Sequence, residues 1–255
     1  LERILELEQI KLLVPTRDED VLFLSHHKPR LEGSGVRVHA PAPFVAEACF
    51  DKWRFYELLS EWGLPTIRTS QDLKNFDQFP ALIKPKTGKG GQGIRIVANR
   101  AELPQDPSKE YIIQELVKGE EYTVDYFADL EARPISVVPR LRYRVEGGES
   151  KVGITKDRPS IVQLCKELGR RMGLTGHNTI QCFLLSQGEI KFIEINPRFG
   201  GGAPLGVAAG CNSPEFLLRE CMGESLVPRE NFEKELVMLR HSSDLILPNH
   251  RLIAP

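Results

Sequence analysis

Phe192-Ile193-Glu194-Ile195-Asn196-Pro197-Arg198-Phe199-Gly200-Gly201-Gly202 is the stretch whose reading decides the fold. It reads as a β-strand that runs into a tight loop. Alternate residues of a strand face opposite ways, so Glu194 and Asn196 are expected on one face and Ile193 and Ile195 on the other. A carboxylate and an amide side by side, followed by Pro-Arg and three glycines, make a poor core strand. They suit a hard cation and the phosphates it carries.

Just upstream, Thr179 to Leu185 reads as a strand, Ser186-Gln187-Gly188-Glu189 as a hairpin turn, and Ile190 to Asn196 as the return strand. A turn centred on Gln187-Gly188 sets Leu185 against Ile190, Phe183 against Phe192 and Gln181 against Glu194. Directly opposed side chains share a face with Cβ atoms about 5 Å apart. Gln181, Glu194 and Asn196 are therefore expected to converge at one end of the hairpin. Taken alone, the same residues also fit a solvated hairpin face.

A second polar concentration lies at Gly88-Lys89-Gly90-Gly91-Gln92-Gly93, between strand-like Ala81-Leu82-Ile83-Lys84 and Ile94-Arg95-Ile96-Val97. It contains G-x-G-x-x-G (Gly88, Gly90, Gly93), but a dinucleotide fingerprint must open a helix. Here a strand follows, and no G-K-[ST] closes the loop, so the segment reads as a glycine-rich hairpin. With Lys84, Lys86 and Lys89 around it, such a hairpin can fold over a polyphosphate, or simply be a long surface turn.

Asp51 to Trp62 has the pattern of a helix capped by Asp51 and stopped by Gly63, with Phe55, Leu58, Leu59 and Trp62 as its apolar stripe. Lys52 sits in its first turn, where the helix dipole disfavours a cation. Tyr111 to Val117 and Tyr122 to Phe127 read as strands. Pro134 to Val138 reads as a strand that delivers Arg140, Arg142 and Arg144 onto one face, either for an anion or as a plain basic face. Gly147 to Gly153 looks like a mobile loop. Asp157 to Met172 and Ser213 to Met222 complete the helices, and Leu236 to Arg240 is a last strand. Residues 1 to about 48 read as half a Rossmann-like βαβ layer, with strands near Ile10–Val14 and Val36–Val38 and no first strand. The chain opens without Met in what reads as the middle of an α/β unit, so residues are expected to precede it.

Composition excludes several classes. A net charge of −1 leaves no basic footprint for nucleic acid. No apolar run reaches the ~20 residues that span a bilayer, and the charged N-terminal pattern is not a signal peptide. The five cysteines lack CxxC spacing and read as buried reduced thiols, which fits a cytoplasmic protein. The histidines lack zinc-ligand spacing, and no G-x-S-x-G or Cys-His arrangement supports a covalent hydrolase.

The order of parts is more specific than any one of them. It runs Asp51-Lys52, Lys84-Pro85, the glycine hairpin, Gln114-Glu115-Leu116-Val117, Glu121, Gln181 and Glu194-x-Asn196-x-Arg198. Over roughly residues 1 to 225 this order resembles the ATP-grasp superfamily, and most closely one ATP-grasp half of the carbamoyl-phosphate synthase large subunit. The resemblance implies an α/β (α+β) fold with two α+β lobes clamping ATP. It divides the chain into a partial pre-ATP-grasp domain (1–48), a linker helix and lid lobe (49–114) and a C-lobe with the metal site (115–255). It implies that Lys52 and Lys84 reach nucleotide phosphate and that Gly90, Gly91 and Gly93 belong to the lid. Gln114, Glu115, Leu116 and Val117 would then surround the adenine, and Glu121 would hold the ribose. Gln181, Glu194 and Asn196 would ligate Mg²⁺, with Mn²⁺ as a substitute, and Arg198 and Arg142 would act on the phosphoryl group or the acceptor.

The expected activity is an ATP-dependent ligase that joins a carboxylate or bicarbonate to an amine or ammonia through an acyl phosphate. A second copy or a partner subunit is the only macromolecular partner expected. A full large subunit holds two such halves and this chain has room for one, so a stand-alone ligase acting on an amino acid or small carboxylate is the second reading. A nucleotide-binding module without turnover is the third, and intact Gln181, Glu194, Asn196 and Arg198 speak against it.

Overall fold

A computed structural model describes residues 1–88, 93–104, 110–244 and 246. The N-terminal part comprises α1 (Glu2–Leu7), β1 (Leu12–Leu13), α2 (Asp18–Glu32), β2 (Arg37–Val38), α3 (Pro43–Phe50) and α4 (Lys52–Glu61). The middle holds β3 (Thr69–Ser70), β4 (Ala81–Pro85), β5 (Arg95–Val97) and β6 (Tyr111–Glu115). The remainder is β7 (Glu120–Ala128), β8 (Pro134–Glu146), β9 (Glu149–Thr155), α5 (Pro159–Met172), β10 (Gly176–Leu184), β11 (Ile190–Asn196), α6 (Ala203–Ala208), α7 (Ser213–Cys221) and β12 (Val237–Leu239).

These strands form three sheets. β1 and β2 pair in parallel, with α2 as the crossover, as the half-Rossmann reading expects. A four-stranded antiparallel sheet has the order β3-β6-β4-β5, and a six-stranded antiparallel sheet has the order β11-β10-β7-β8-β9-β12. Period-two alternation gives the large sheet two unlike faces. On β7, Tyr122, Val124 and Tyr126 are buried in the main core with Ile161, Cys165, Leu168 and Met172 of α5. Phe55 and Leu59 of α4 join the same core. Glu121 and Thr123 point the other way, into a cleft. The small sheet repeats the logic on β4: Ala81 and Ile83 pack with Leu73, Phe76, Val97 and Ile113, while Leu82 and Lys84 face the cleft.

Asp51 caps α4 as its sequence demands, accepting from Trp53 N at 2.8 Å and Arg54 N at 3.3 Å. Two hairpins differ from expectation for identifiable reasons. Leu185 N donates to Glu189 O at 2.8 Å and Gly188 lies at φ +83°, so the β10–β11 turn has a three-residue loop with Gly188 in the left-handed region. Pairing is therefore Leu184 with Ile190, Phe183 with Lys191 and Cys182 with Phe192, one residue out of the expected register. A bulge at Ile193 then restores Gln181 opposite Glu194. The same bulge turns Ile193 into the cleft, correcting the expectation that it shares a face with Ile195.

The expected loop at Gly147–Gly153 is instead a two-residue turn and strand β9. Gly147 and Gly148, at φ +58° and +78°, supply the two positive φ values such a turn needs. Irregular pairing on either side of Arg144 breaks the alternation of the arginines. Arg144 is exposed and pairs with Glu146 at 2.6 Å, while Arg140 and Arg142 line the cleft.

Packing of α5 on β7 depends on Gly169, where a Cβ would lie 2.2 Å from the hydroxyl oxygen and 2.3 Å from Cζ of the fully buried Tyr126. Alanine gains about 1 kcal/mol of helix propensity over glycine, but overpacking typically costs about 1–3 kcal/mol. Because the tyrosine ring is enclosed, the clash wins. Gly169→Ala is expected to lower the urea midpoint at unchanged m-value; an equal or higher midpoint would mean that α5 slides free of Tyr126.

Candidate functional site

A cleft runs between the small sheet and the polar face of the large one. Twelve of the residues singled out from sequence line it: Lys52 and Lys84; Gln114, Glu115, Leu116 and Val117; Glu121 and Arg142; and Gln181, Glu194, Asn196 and Arg198. Gly93, at φ +72°, is not among the lining residues. Gly90 and Gly91 lie outside the described residues, together with Lys89 and Gln92.

The apolar part of the cleft is formed by Ile67, Leu82, Leu116, Val117, Phe183 and the bulged Ile193. Gln114 is buried there, and its Nε2 donates to Thr69 Oγ1 at 2.7 Å, which fixes one end of the amide. The carboxylate of Glu115 is engaged elsewhere. It pairs with Lys191 of β11 and accepts from Arg68 N and Gln78 Nε2, each at 3.2 Å. Burial pushes its pKa up, but these hydrogen bonds outweigh burial and the net shift is downward. Glu115 therefore ties the two sheets together across the cleft's inner edge.

At the polar end, Gln181 and Glu194 oppose each other across the β10–β11 pair, and Asn196 Nδ2 donates to Glu194 Oε1 at 3.1 Å. Pro197 ends the strand. The loop beyond it is held by Arg198 N donating to Asn196 O at 2.7 Å and by Thr179 Oγ1 donating to Arg198 O at 2.9 Å. It then passes over Arg140, where a Cβ at Gly202 would lie 2.4 Å from Nη1. Lys84 projects from β4, and burial lowers its pKa to about 8, with Glu194 opposing the shift and Lys52 adding to it. Lys52 donates to Gly88 O at 2.7 Å.

Arg142 is held by Gly148 O at 2.8 Å. Its Nε is ion-paired with Glu121 Oε1 at 3.1 Å without the alignment of a hydrogen bond. Burial raises the Glu121 pKa, and Arg142 offsets part of the rise.

One carboxylate (Glu194) and two amides (Gln181, Asn196) make an all-oxygen donor set, which fits Mg²⁺ better than a thiophilic or imidazole-seeking metal. Among the described residues no group of three or more His, Cys, Asp and Glu could hold a metal. The amide donors are thus essential to the fit.

Three features escaped the sequence reading. Asp18 of α2 grips Arg198, at 2.5 Å to Nε and 2.8 Å to Nη2. Arg140 is buried and bidentate to Asp125, at 2.5 and 2.9 Å. Arg240, past β12, bonds Gly201 O and lies 3.3 Å from Glu149 at the cleft wall. Asp125, a lone carboxylate within Tyr122-Thr123-Val124-Asp125-Tyr126-Phe127, carried a signal that a buried partner was required. Asp18 and Arg240 carried none, being distant in sequence from the residues they touch.

Comparison with known proteins gives concordant results. The carbamoyl phosphate synthase arginine-specific large chain of Bacillus subtilis is 27% identical over 199 residues, covering 69% of this chain and 19% of that one. D-alanine–D-alanine ligase of Fusobacterium nucleatum is 23% identical over 181 residues, 66% of this chain and 60% of the ligase. The chain thus spans less than two thirds of either relative. Among solved structures, a biotin carboxylase from Campylobacter jejuni matches with a TM-score of 0.77 at 15% identity, covering 92% of this chain and 59% of that one. The biotin carboxylase domain of Hydrogenobacter thermophilus 2-oxoglutarate carboxylase, solved with MgADP, ADP and bicarbonate, matches at 0.75 and 18% over 91% and 58%. These likenesses concern the fold. The sequence profile of the ATP-grasp domain matches residues 49–202, from just before α4 to the glycines that close over Arg140, and on that match the chain belongs to the ATP-grasp family.

Proposed function

We propose that the chain is an ATP- and Mg²⁺-dependent carboxylate–amine ligase that works through an acyl phosphate, of the carbamoyl-phosphate-synthase large-subunit type, with bicarbonate and ammonia as substrates. One observation carries this reading. The cleft that holds an apolar slot beside Gln114, Leu116 and Val117 also holds Gln181, Glu194, Asn196 and Arg198, with Lys84 near enough to Glu194 and Lys52 to feel both charges. A nucleotide needs that sequence of surfaces: apolar for the base, cationic for the phosphates, oxygen-rich for their metal.

In this reading residues 1–48 are a partial pre-ATP-grasp domain, 49–114 supply the lid lobe and 115–255 the metal-bearing lobe. Gln114 and the Leu116-Val117 backbone read the adenine edge, and Glu121 takes the ribose. Lys52 and Lys84 take phosphate. Gln181, Glu194 and Asn196 would hold Mg²⁺, or Mn²⁺ in its place, which when bound neutralises phosphate charge. A carboxylate oxygen displaces ADP from the γ-phosphoryl group, and the amine then attacks the carbonyl carbon, loses a proton and expels phosphate. No covalent residue is required, because phosphoryl transfer depends on positioning and charge neutralisation. Arg198 and Arg142 supply the fixed cationic part of that neutralisation.

The likeness to D-alanine–D-alanine ligase, of which the chain covers 60%, favours a second reading as a stand-alone ligase for an amino acid or small carboxylate. Phosphate release with Mg²⁺ and ATP, measured across bicarbonate, amino acids and small carboxylates with and without ammonia, separates the two. Stimulation by bicarbonate plus ammonia is expected. Stimulation by an amino acid selects the second reading, and retained ATP binding without any stimulation marks a binding module.

Glu194→Ala is expected to abolish Mg²⁺-dependent phosphate release while changing ADP affinity only a few-fold in a metal-free titration. Normal turnover in this variant would remove the metal assignment. The Lys84 pKa of about 8 predicts a pH dependence of binding. A bound phosphate favours the charged lysine, so binding takes up a proton once the free protein has lost it. Affinity is then constant below about pH 8 and falls up to tenfold per unit above it. Lys84→Arg should flatten that profile in calorimetric ADP titrations; a slope unchanged by the substitution would assign the proton to another group.

A further inference from the structure

Arg198 is gripped on one edge and only lightly held on the other. Asp18 takes Nε at 2.5 Å and Nη2 at 2.8 Å, a fork-to-fork arrangement with both side chains mostly buried. Its other contacts are longer: Nη1 reaches Phe199 O at 3.2 Å, and Nη2 reaches Oδ1 of cleft-lining Asn196 at 3.4 Å. Asp18 lies in the first turn of α2, a fifteen-residue helix whose free N–H groups favour its negative charge. From there a run of polar contacts passes through Arg198 and Asn196 to Glu194.

We propose that Asp18 is a positioning residue: it clamps one edge of the Arg198 guanidinium so that the other edge faces the terminal phosphoryl group of the bound nucleotide. The inference rests on the reading of Arg198 as a phosphoryl-binding residue. The difference in bond length decides between holding and competing. An incoming anion meets two long contacts that give way readily, whereas displacing Asp18 would break two short charge-assisted bonds at once. An arginine already fixed at one edge also loses less rotamer freedom when the second edge binds. α2 belongs to the N-terminal segment, outside the matched 49–202 stretch, so that segment contributes directly to the chemistry of the cleft.

Calorimetric affinities for MgADP and for the magnesium complex of β,γ-imido-ATP test this, because their ratio isolates the contribution of the terminal phosphoryl group. Arg198→Ala should reduce that ratio about tenfold, the size of a lost charge-assisted contact. Asp18→Asn and Asp18→Ser should reduce it roughly three- to tenfold with MgADP affinity unchanged, and Asp18→Glu should recover part of the loss. Asp18→Asn added to Arg198→Ala should have no further effect, since the two act as one unit. Unchanged MgADP binding also reports that each variant is folded. A ratio that is unaltered in both Asp18 variants overturns the proposal. A ratio that rises overturns it in favour of Asp18 as a competitor for Arg198. If Arg198→Ala itself leaves the ratio intact, it is the phosphoryl reading of Arg198 that has failed.

Discussion

Beneath the polar end of the cleft, the buried Arg140–Asp125 pair joins β8 to β7, and the loop after Arg198 is shaped around it. Burial pushes the Asp125 carboxyl up, and the guanidinium in contact with it pulls against that shift. Two bonds at 2.5 and 2.9 Å offset a desolvation cost that an unpaired partner could not bear; removing one side of such a pair costs about 3–5 kcal/mol. The surroundings keep further charge away. His177, fully buried nearby, has its pKa pushed well down by burial, with His39 and the Arg140 guanidinium adding to the shift, and it bonds Ser213 of α7 at 2.8 Å while stacking on Phe199. Two glycines let the chain close over the pair. A Cβ at Gly202 would strike Arg140, and one at Gly206 of α6 would come within 1.8 Å of Asp125 Oδ2. The glycines after Arg198 thus seat that loop on a buried ion pair.

What the sequence disclosed was what local periodicity controls. The strands β7 and β4, the helix α5 and the Asp51 cap all follow from residue spacing. The hidden part depends on single-residue differences in turns. A two-residue and a three-residue β10–β11 loop look alike in Ser186-Gln187-Gly188-Glu189, and the choice shifts every pair. Only the bulge at Ile193 returned Glu194 to the expected partner, so the site was foreseen through two deviations that cancel. At Gly147-Gly148 the opposite happened, because adjacent glycines read as slack while their positive φ values make a tight turn. Asp18 was invisible for a third reason: an ion pair between residues 180 apart in sequence leaves no local trace.

The charges of the cleft separate its arginines from Lys84. Arg140 has Asp125, Arg198 has Asp18, Arg240 has Glu149 and the Gly201 carbonyl, and Arg142 has the Gly148 carbonyl beside Glu121. Lys84 has no hydrogen-bond or ion-pair partner among the described residues. An arginine cannot shed its proton inside a protein, so each one drawn toward the interior requires a fixed acceptor. A lysine can, and the lowered pKa of Lys84 expresses the cost of burying an ammonium without one. The arginines are therefore the part of the cleft set before any ligand arrives. An anion beside β4 would favour the charged form of Lys84 and so secure its protonation.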